Sequence, residues 1–322
     1  MEKNIAAETF ARLWPTDRYF ATVEQLHKAG LGDKHVADGV RLGLLYRVRR
    51  GVHSPMNRWR SQPQWAKAKI ALAGHIAASK GQLVYTHFSA ARLRQLQVWD
   101  CPDTVHVNGR YQSSPSKTAA DVTVHCLGLA PDEVIQQHVP GVGTARFTGL
   151  ARTVLDCAMA APSAHSVLIG DSALHHSMQL AELEAVMLVT PRRKGLKKAR
   201  RVIEALNGLS ESAGESRTRL VIRGLPIEQP EFQITLVVDG EEYRPDFAWR
   251  EIKLILEFDG DTNYFFFMPT AEALVKERER ENALVEEGWR FIRVKWRHLD
   301  IPELLKMRIV TAFNAAVLAR AA

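Results

Sequence analysis

Between Tyr243 and Gly260 the chain reads YRPDFAWREIKLILEFDG, and the placement of acids in this run limits the available folds more than any other feature. Tyr243–Trp249 and Lys253–Phe258 carry the aromatic and branched apolar residues of strands. Asp246 sits inside the first, between Pro245 and Phe247, and Glu257 ends the apolar run Leu254-Ile255-Leu256 of the second. Side chains alternate across a strand, so Glu257 and Asp259 share one face while Leu256 and Phe258 take the other. An uncompensated carboxylate in such a place is costly, and two on neighbouring strands repel. Two readings stand. Either a divalent cation held by Asp246 and Glu257 removes both penalties, or the acids are edge-strand residues paired with nearby arginines and Asp259-Gly260 is only a turn. Mg²⁺, or Mn²⁺ in its place, suits an all-oxygen site completed by waters and a substrate phosphate.

The flanking sequence supplies a frame. Ser212-Ala213-Gly214-Glu215 opens a helix that carries Leu220, Val221 and Ile222 into a core and ends by Gly224. Ile234–Val238 reads as a strand joined to Tyr243–Trp249 through an Asp239-Gly240 hairpin. A charged helix from about Thr270 to Glu287 stops at Gly288, Arg290–Lys295 forms a further strand, and Pro302 opens a last helix. The predicted order is helix, three strands, helix, strand, helix. Phe265-Phe266-Phe267-Met268 is core or a wedge against unstacked bases.

At the other end, Val23, Leu26 and His27 begin an amphipathic turn closed by Gly30, and a second helix runs from an N-cap at Asp33 to Leu42. Leu45–Val52 then reads as a strand and turn studded with Arg47, Arg49 and Arg50. This is the outline of a winged helix-turn-helix, with the second helix in a major groove and the three arginines against phosphates or a minor groove. A small helical bundle with a solvated basic strand fits the same spacing. In the middle, Thr104–Val107 and Val122–His125 are strand-like, and Phe147–Ala160 is helical. His175-His176 lacks a second pair at zinc spacing and reads as surface. The basic run Pro191–Arg201 is a solvated helix face or a grip on phosphates.

With 322 residues, 46% hydrophobic and 25% charged, the chain has room for about two globular domains, and its net charge of +7 favours an acidic partner such as DNA. Three scattered cysteines suit a reducing cytoplasm, and a charged N-terminus without a long apolar run argues against a signal peptide or membrane association.

Two resemblances sharpen these expectations. RPDFAWREIKLILEFDG, followed by KERERENALVEEGW and RFIRVKW, resembles the very-short-patch-repair-like branch of the PD-(D/E)XK nucleases over Ser210 to about Leu299. LHKAGLGDKHVADGVRLGLLYRVRRGVH is similar to the winged-helix start of AbiEi-type antitoxins of type IV toxin–antitoxin systems. Together they imply a mixed α/β chain with a winged helix-turn-helix over residues 1–60, an α/β middle region over 61–207, and a restriction-endonuclease-like αβββαβ core over 208–322. The nuclease resemblance implies a Mg²⁺- or Mn²⁺-dependent endonuclease in which Glu215, Asp246, Glu257 and Asp259 are catalytic and Asp246 and Glu257 bind metal. It also draws attention to the aromatic Tyr264. DNA is the implied partner and defence against foreign DNA the implied role, with a homodimer allowed. The chain departs from the family where a basic residue follows the Asp-Gly, having Thr262 and Asn263, and where the next helix offers a lysine, having Arg278. Arginine cannot serve as a general base near neutral pH. Lys253 and Lys276 are the candidates for a migrated lysine, and Arg278 and Arg280 for phosphate contacts. The missing lysines keep a second reading open: a non-catalytic DNA-binding antitoxin or repressor with a degenerate nuclease fold and a cognate toxin as partner.

Overall fold

A computed structural model describes residues 2–15, 17, 19–109, 120–140, 142–191, 194–260 and 271–321, with the backbone alone at 271–274, 276 and 277. The fold is mixed α/β, as expected. The chain forms two compact units, one of Met1–Ala160 with Leu180–Leu196, the other of Ala161–Gln179 with Lys197–Ala322. Among the described residues no helix is long and apolar enough to cross a membrane.

The first unit begins with α1 (Lys3–Leu13), β1 (Ala21–Thr22), α2 (Val23–Lys28), α3 (Asp33–Arg41), β2 (Leu45–Arg49) and β3 (Val52–Pro55). The three strands make an antiparallel sheet in the order β1-β3-β2. A capping box between Thr22 and Gln25 starts α2. Asp33 is not the N-cap anticipated for α3. Gly32 takes that position, and the Asp33 carboxylate, one residue into the helix, meets His27 Nε2 at 2.9 Å.

After α4 (Met56–Arg60) and α5 (Gln64–Ala78) comes a mixed five-stranded sheet in the order β6-β5-β4-β8-β7. Its strands are β4 (Val84–Tyr85), β5 (Val105–Asn108), β6 (Val122–His125), β7 (Val134–Val139) and β8 (Gly143–Thr148), with α6 (His87–Leu93) between β4 and β5 and α7 (Leu150–Ala160) after β8. Phe147, expected to start a helix, instead lies in β8, and the helix starts at Leu150. The boundary expected at residue 60 falls inside this unit. Phe20 and Val52 from the helix–hairpin segment share one apolar cluster with Ile70 and Ala73 of α5, so the two stretches bury surface against each other. Helix α9 (Leu180–Val189) also belongs to this unit.

The second unit takes in α8 (Ser163–His175) and α10 (Leu196–Ile203), so the boundary expected at 207 is not a break either. Asp171 on α8 is the reason: it pairs with Arg219 Nη2 at 2.6 Å and accepts from Ser216 Oγ at 2.7 Å, both on α11 (Ala213–Arg223). This unit's main sheet follows α11. It contains β9 (Glu231–Phe232), β12 (Phe247–Trp249), β13 (Leu254–Phe258) and β14 (Arg290–Val294), in the order β14-β13-β12-β9. β9, β12 and β13 are antiparallel and β14 is parallel to β13, which α12 (Ala271–Glu286) makes possible by crossing over between them. α13 (Trp296–Leu299) and α14 (Pro302–Ala321) close the chain.

The expected first strand, Ile234–Val238, lies elsewhere. β10 (Leu236–Val238) and β11 (Glu241–Tyr243) form a separate two-stranded ribbon. Its turn is the Asp239-Gly240 pair, whose φ values of 51° and 79° suit a tight hairpin. Strand pairing is lost between Tyr243 and Phe247 because Pro245 has no N–H to offer a ladder. The true edge strand is the two-residue β9, which precedes the ribbon.

β13 is buried on both faces. Leu254 and Leu256 pack with Phe247, Trp249, Ile292, Val294 and Ile222, while Ile255 packs with Ala248, Leu284 and Trp289. α11 approaches the strand end so closely that a Cβ at Gly214 would overlap the Phe258 ring. That approach brings the neighbouring Glu215 to the sheet.

Candidate functional site

The acids gather at the C-terminal end of β13. The register that pairs Phe247 with Leu256 sets Asp246 beside Glu257, and the parallel register with β14 sets Glu257 beside Arg293. Asp246 Oδ2 accepts the backbone N–H of Phe258 at 2.8 Å. Glu215, in the first turn of α11, accepts the backbone N–H of Glu211 at 2.8 Å. One side chain joins these two acids: Gln233 Nε2 donates to Glu215 Oε2 and to Asp246 Oδ1, each at 3.3 Å. Gln233 does so from a left-handed backbone, φ 49°, just after β9.

Glu257 is held differently. The Tyr243 hydroxyl donates to its Oε1, and Arg293 Nη2 lies 3.4 Å from Oε2 while also bonding Glu281 at 2.8 Å. Asp259, further along, forms an ion pair with Lys295 Nζ at 3.1 Å. The oxygens of Glu215, Asp246 and Glu257 do not all come within 4.8 Å of one another. Among the described residues a three-ligand group that tight is found only at His87, His106 and His125.

Burial first, and then the charge of Glu215, push the Asp246 carboxyl up to about 7, with Glu257 adding to the effect and the Phe258 N–H opposing it. Burial likewise raises Glu215. Both groups are thus costly as anions in the apo fold, which is the condition a divalent cation relieves. Magnesium commonly takes one or two carboxylates together with waters and phosphate, so Asp246 with one neighbour meets its needs. The donor set of carboxylate oxygens fits that ion.

Of the expected cations, Lys253 lies at the far end of β13, four residues or about 13 Å from Glu257, and its Nζ donates to the Glu287 carbonyl at 2.6 Å. It is therefore removed from the site. Arg278 is exposed on α12, and Arg280 faces Glu241 at 3.8 Å. The side chain of Lys276, the residues Thr262, Asn263 and Tyr264, and Phe265–Met268 lie outside the described residues. The cations that do reach the acids are Arg293 on β14 and Lys295 immediately after it. Sequence reasoning missed them, although their alternation with the buried Ile292 and Val294 places both on the acids' face.

In the first unit Arg47 and Arg50 are exposed on the β2–β3 hairpin, but Arg49 is not available to DNA. Its side chain, 10% exposed, lies 3.3 Å from Asp121. Of the basic run, Arg192 and Arg193 are outside the described residues, and Lys198 is spent on the Ala161 carbonyl at 2.6 Å. His175 and His176 are exposed, as expected.

No protein-family model matches the chain. Two uncharacterized proteins from strains of Mycobacterium tuberculosis, Rv2248 and MT2308, are each 30% identical to it over 173 residues, or 52% of this chain and 61% of theirs. The chain thus spans about three fifths of the length of these curated relatives. The crystal structure of the RV2827C protein from Mycobacterium tuberculosis aligns with a TM-score of 0.40 and 15% identity, over 73% of this chain and 87% of that one.

An Asp246 carboxyl raised to about 7 binds a proton in the folded state that an unfolded aspartate, near about 3.9, has already lost. Stability is therefore highest below the unfolded value and falls as pH rises through the folded one. Asp246→Asn is expected to melt above wild type at pH values over that window, with the gap closing towards acid pH. Thermal denaturation across pH checks it, and a variant that melts no higher in alkaline buffer contradicts the burial cost. If the hairpin meets DNA, Arg47→Ala and Arg50→Ala each weaken duplex binding and flatten the log K against log salt slope by about one. Arg49→Ala should instead lower the melting temperature. Anisotropy titrations at several salt concentrations would expose an unchanged slope.

Proposed function

We propose that the chain is a metal-dependent DNA endonuclease whose cleavage centre lies at the end of β13 and whose N-terminal helix–hairpin segment holds DNA. The observation that carries this reading is Asp246: a half-buried carboxylate, flanked by Glu215 and Glu257, immediately before the central strand β12 of an αβββαβ core. Asp246 and Glu257 would hold Mg²⁺ or Mn²⁺. When bound, such an ion polarises the scissile phosphate and makes a bound water a nucleophile near neutral pH.

The protein's own groups do the rest. Glu215, raised by burial, accepts a proton from water more readily than an exposed glutamate and orients it through the Gln233 network. Lys295, beside Asp259, places a compact positive charge where charge builds on the phosphate, the role that Lys253 cannot reach. Arg293 and Tyr243 fix the Glu257 rotamer. Defence against foreign DNA is the biological setting that the family resemblance suggests.

A second reading has its own support. Both Glu257 oxygens are engaged, and the three acids do not converge on one point, as suits a DNA-binding antitoxin or repressor that has given up cleavage. Incubating plasmid and phage DNA with the full chain and Mg²⁺ or Mn²⁺ separates the two. Wild type is expected to nick or cut, and Asp246→Ala to lose at least the roughly 100-fold that even an outer-shell change can cost. Equal binding with no cutting by either protein hands the site to the regulator reading.

A further inference from the structure

The five-stranded sheet of the first unit carries three imidazoles side by side. His106 lies on β5, His125 on the parallel neighbour β6, and His87 opens α6 immediately after β4. His106 Nδ1 faces His125 Nε2 at 2.9 Å. The His87 ring stacks on that of His125, centroids 3.7 Å apart, and lies 5.5 Å from that of His106. One ring nitrogen from each histidine falls within 4.8 Å of the other two. His87 is buried and the other two are half-buried, so the cluster has an inner wall and an outer rim.

The local wiring favours ligation. His87 Nδ1 and Thr86 Oγ1 are hydrogen-bonded at 3.0 Å, which fixes the ring, and with the proton on Nδ1 this bond leaves Nε2 for a metal, as outer-shell partners of ligating histidines do. His87 also holds φ at 48°, a conformation uncommon outside glycine, and this aims its ring at the two strands. Burial first, and for His87 and His106 then the neighbouring imidazoles, disfavours the charged rings and so favours the neutral form that ligates metal. Arg152 itself is compensated by Glu133 and Asp156, each at 2.9 Å, and so adds no net positive charge to the neighbourhood.

We propose that His87, His106 and His125 form a zinc-class transition-metal site with an open fourth position on the half-exposed rim. Imidazole nitrogens suit Zn²⁺ and not Mg²⁺, so this site is chemically distinct from the carboxylates of the second unit. Three histidines with an open position is the donor set of catalytic rather than structural zinc. His106 Nδ1 and His125 Nε2, 2.9 Å apart, share one proton, and a metal takes both lone pairs once the donor ring carries its proton on its other nitrogen. Ligation requires the stacked His87 and His125 rings to splay by rotation about χ2, a torsion with a broad minimum.

The test titrates chelator-stripped full-length protein with Co²⁺ as an optical probe, then with Zn²⁺. Wild type is expected to bind one Co²⁺ per chain, with the visible absorption of a four-coordinate nitrogen-ligated ion and no thiolate charge-transfer band, and to release it to Zn²⁺ but not to excess Mg²⁺. The double variant His106→Gln, His125→Gln should bind at least about tenfold more weakly with its circular dichroism unchanged. If that variant does not fold, ¹⁵N spectra of the wild-type imidazoles decide: zinc must shift three rings together. A wild type that yields no four-coordinate spectrum, or no such shift, overturns the site, as does a folded variant that binds as well as wild type.

Discussion

The backbone N–H of Phe258 donates to Asp246 across the β12–β13 pair, and the chemistry open to the second unit depends on that bond. It ties a carboxylate to the last residue of β13, a strand whose first three residues are buried. Gln233 completes the hold from the opposite side and draws Glu215 into the same cluster. The result opposes ordinary folding preference: two acids are kept at partial burial and within reach of each other's charge.

Such a cluster persists only because the structure around it is over-determined. Three consecutive residues of β13, Leu254 to Leu256, are buried between two apolar clusters, and β14 locks the strand in parallel register on its other edge. α11 is pressed onto the strand end at Gly214, a position with no room for a side chain against Phe258. Packing thereby fixes the acids' positions before any ligand arrives, which is what preorganised metal and phosphate chemistry requires. Cations balance the periphery of the cluster: Arg293 and Lys295 meet Glu257 and Asp259, while Asp246 is left to the amide of Gln233 and a backbone N–H.

Much of this was legible in the sequence because it rests on local periodicity. The apolar run before Glu257, the Asp239-Gly240 turn, the charged helix ending at Gly288 and the Arg290–Val294 strand all carry their signal within a few residues. What escaped depends on distant partners. β9 is two residues long and has no period to detect. Gln233 is one polar residue among many until the β12 register places it under Asp246. Arg49 reads as a DNA contact until Asp121, more than seventy positions later in the chain, accounts for it. The three histidines stand at wide intervals with no ligand spacing; the β5–β6 pairing and the turn from β4 into α6 bring them together.

The proposed cleavage centre requires a divalent cation, not a retained proton, as the partner of Asp246. Following the Asp246 carboxyl carbon by NMR through a pH titration, with and without saturating Mg²⁺, tests it directly. A midpoint of about 7 is expected in metal-free protein, dropping towards the ordinary aspartate range when Mg²⁺ is present. A midpoint that Mg²⁺ leaves in place would contradict it and mark the cluster as a structural relic.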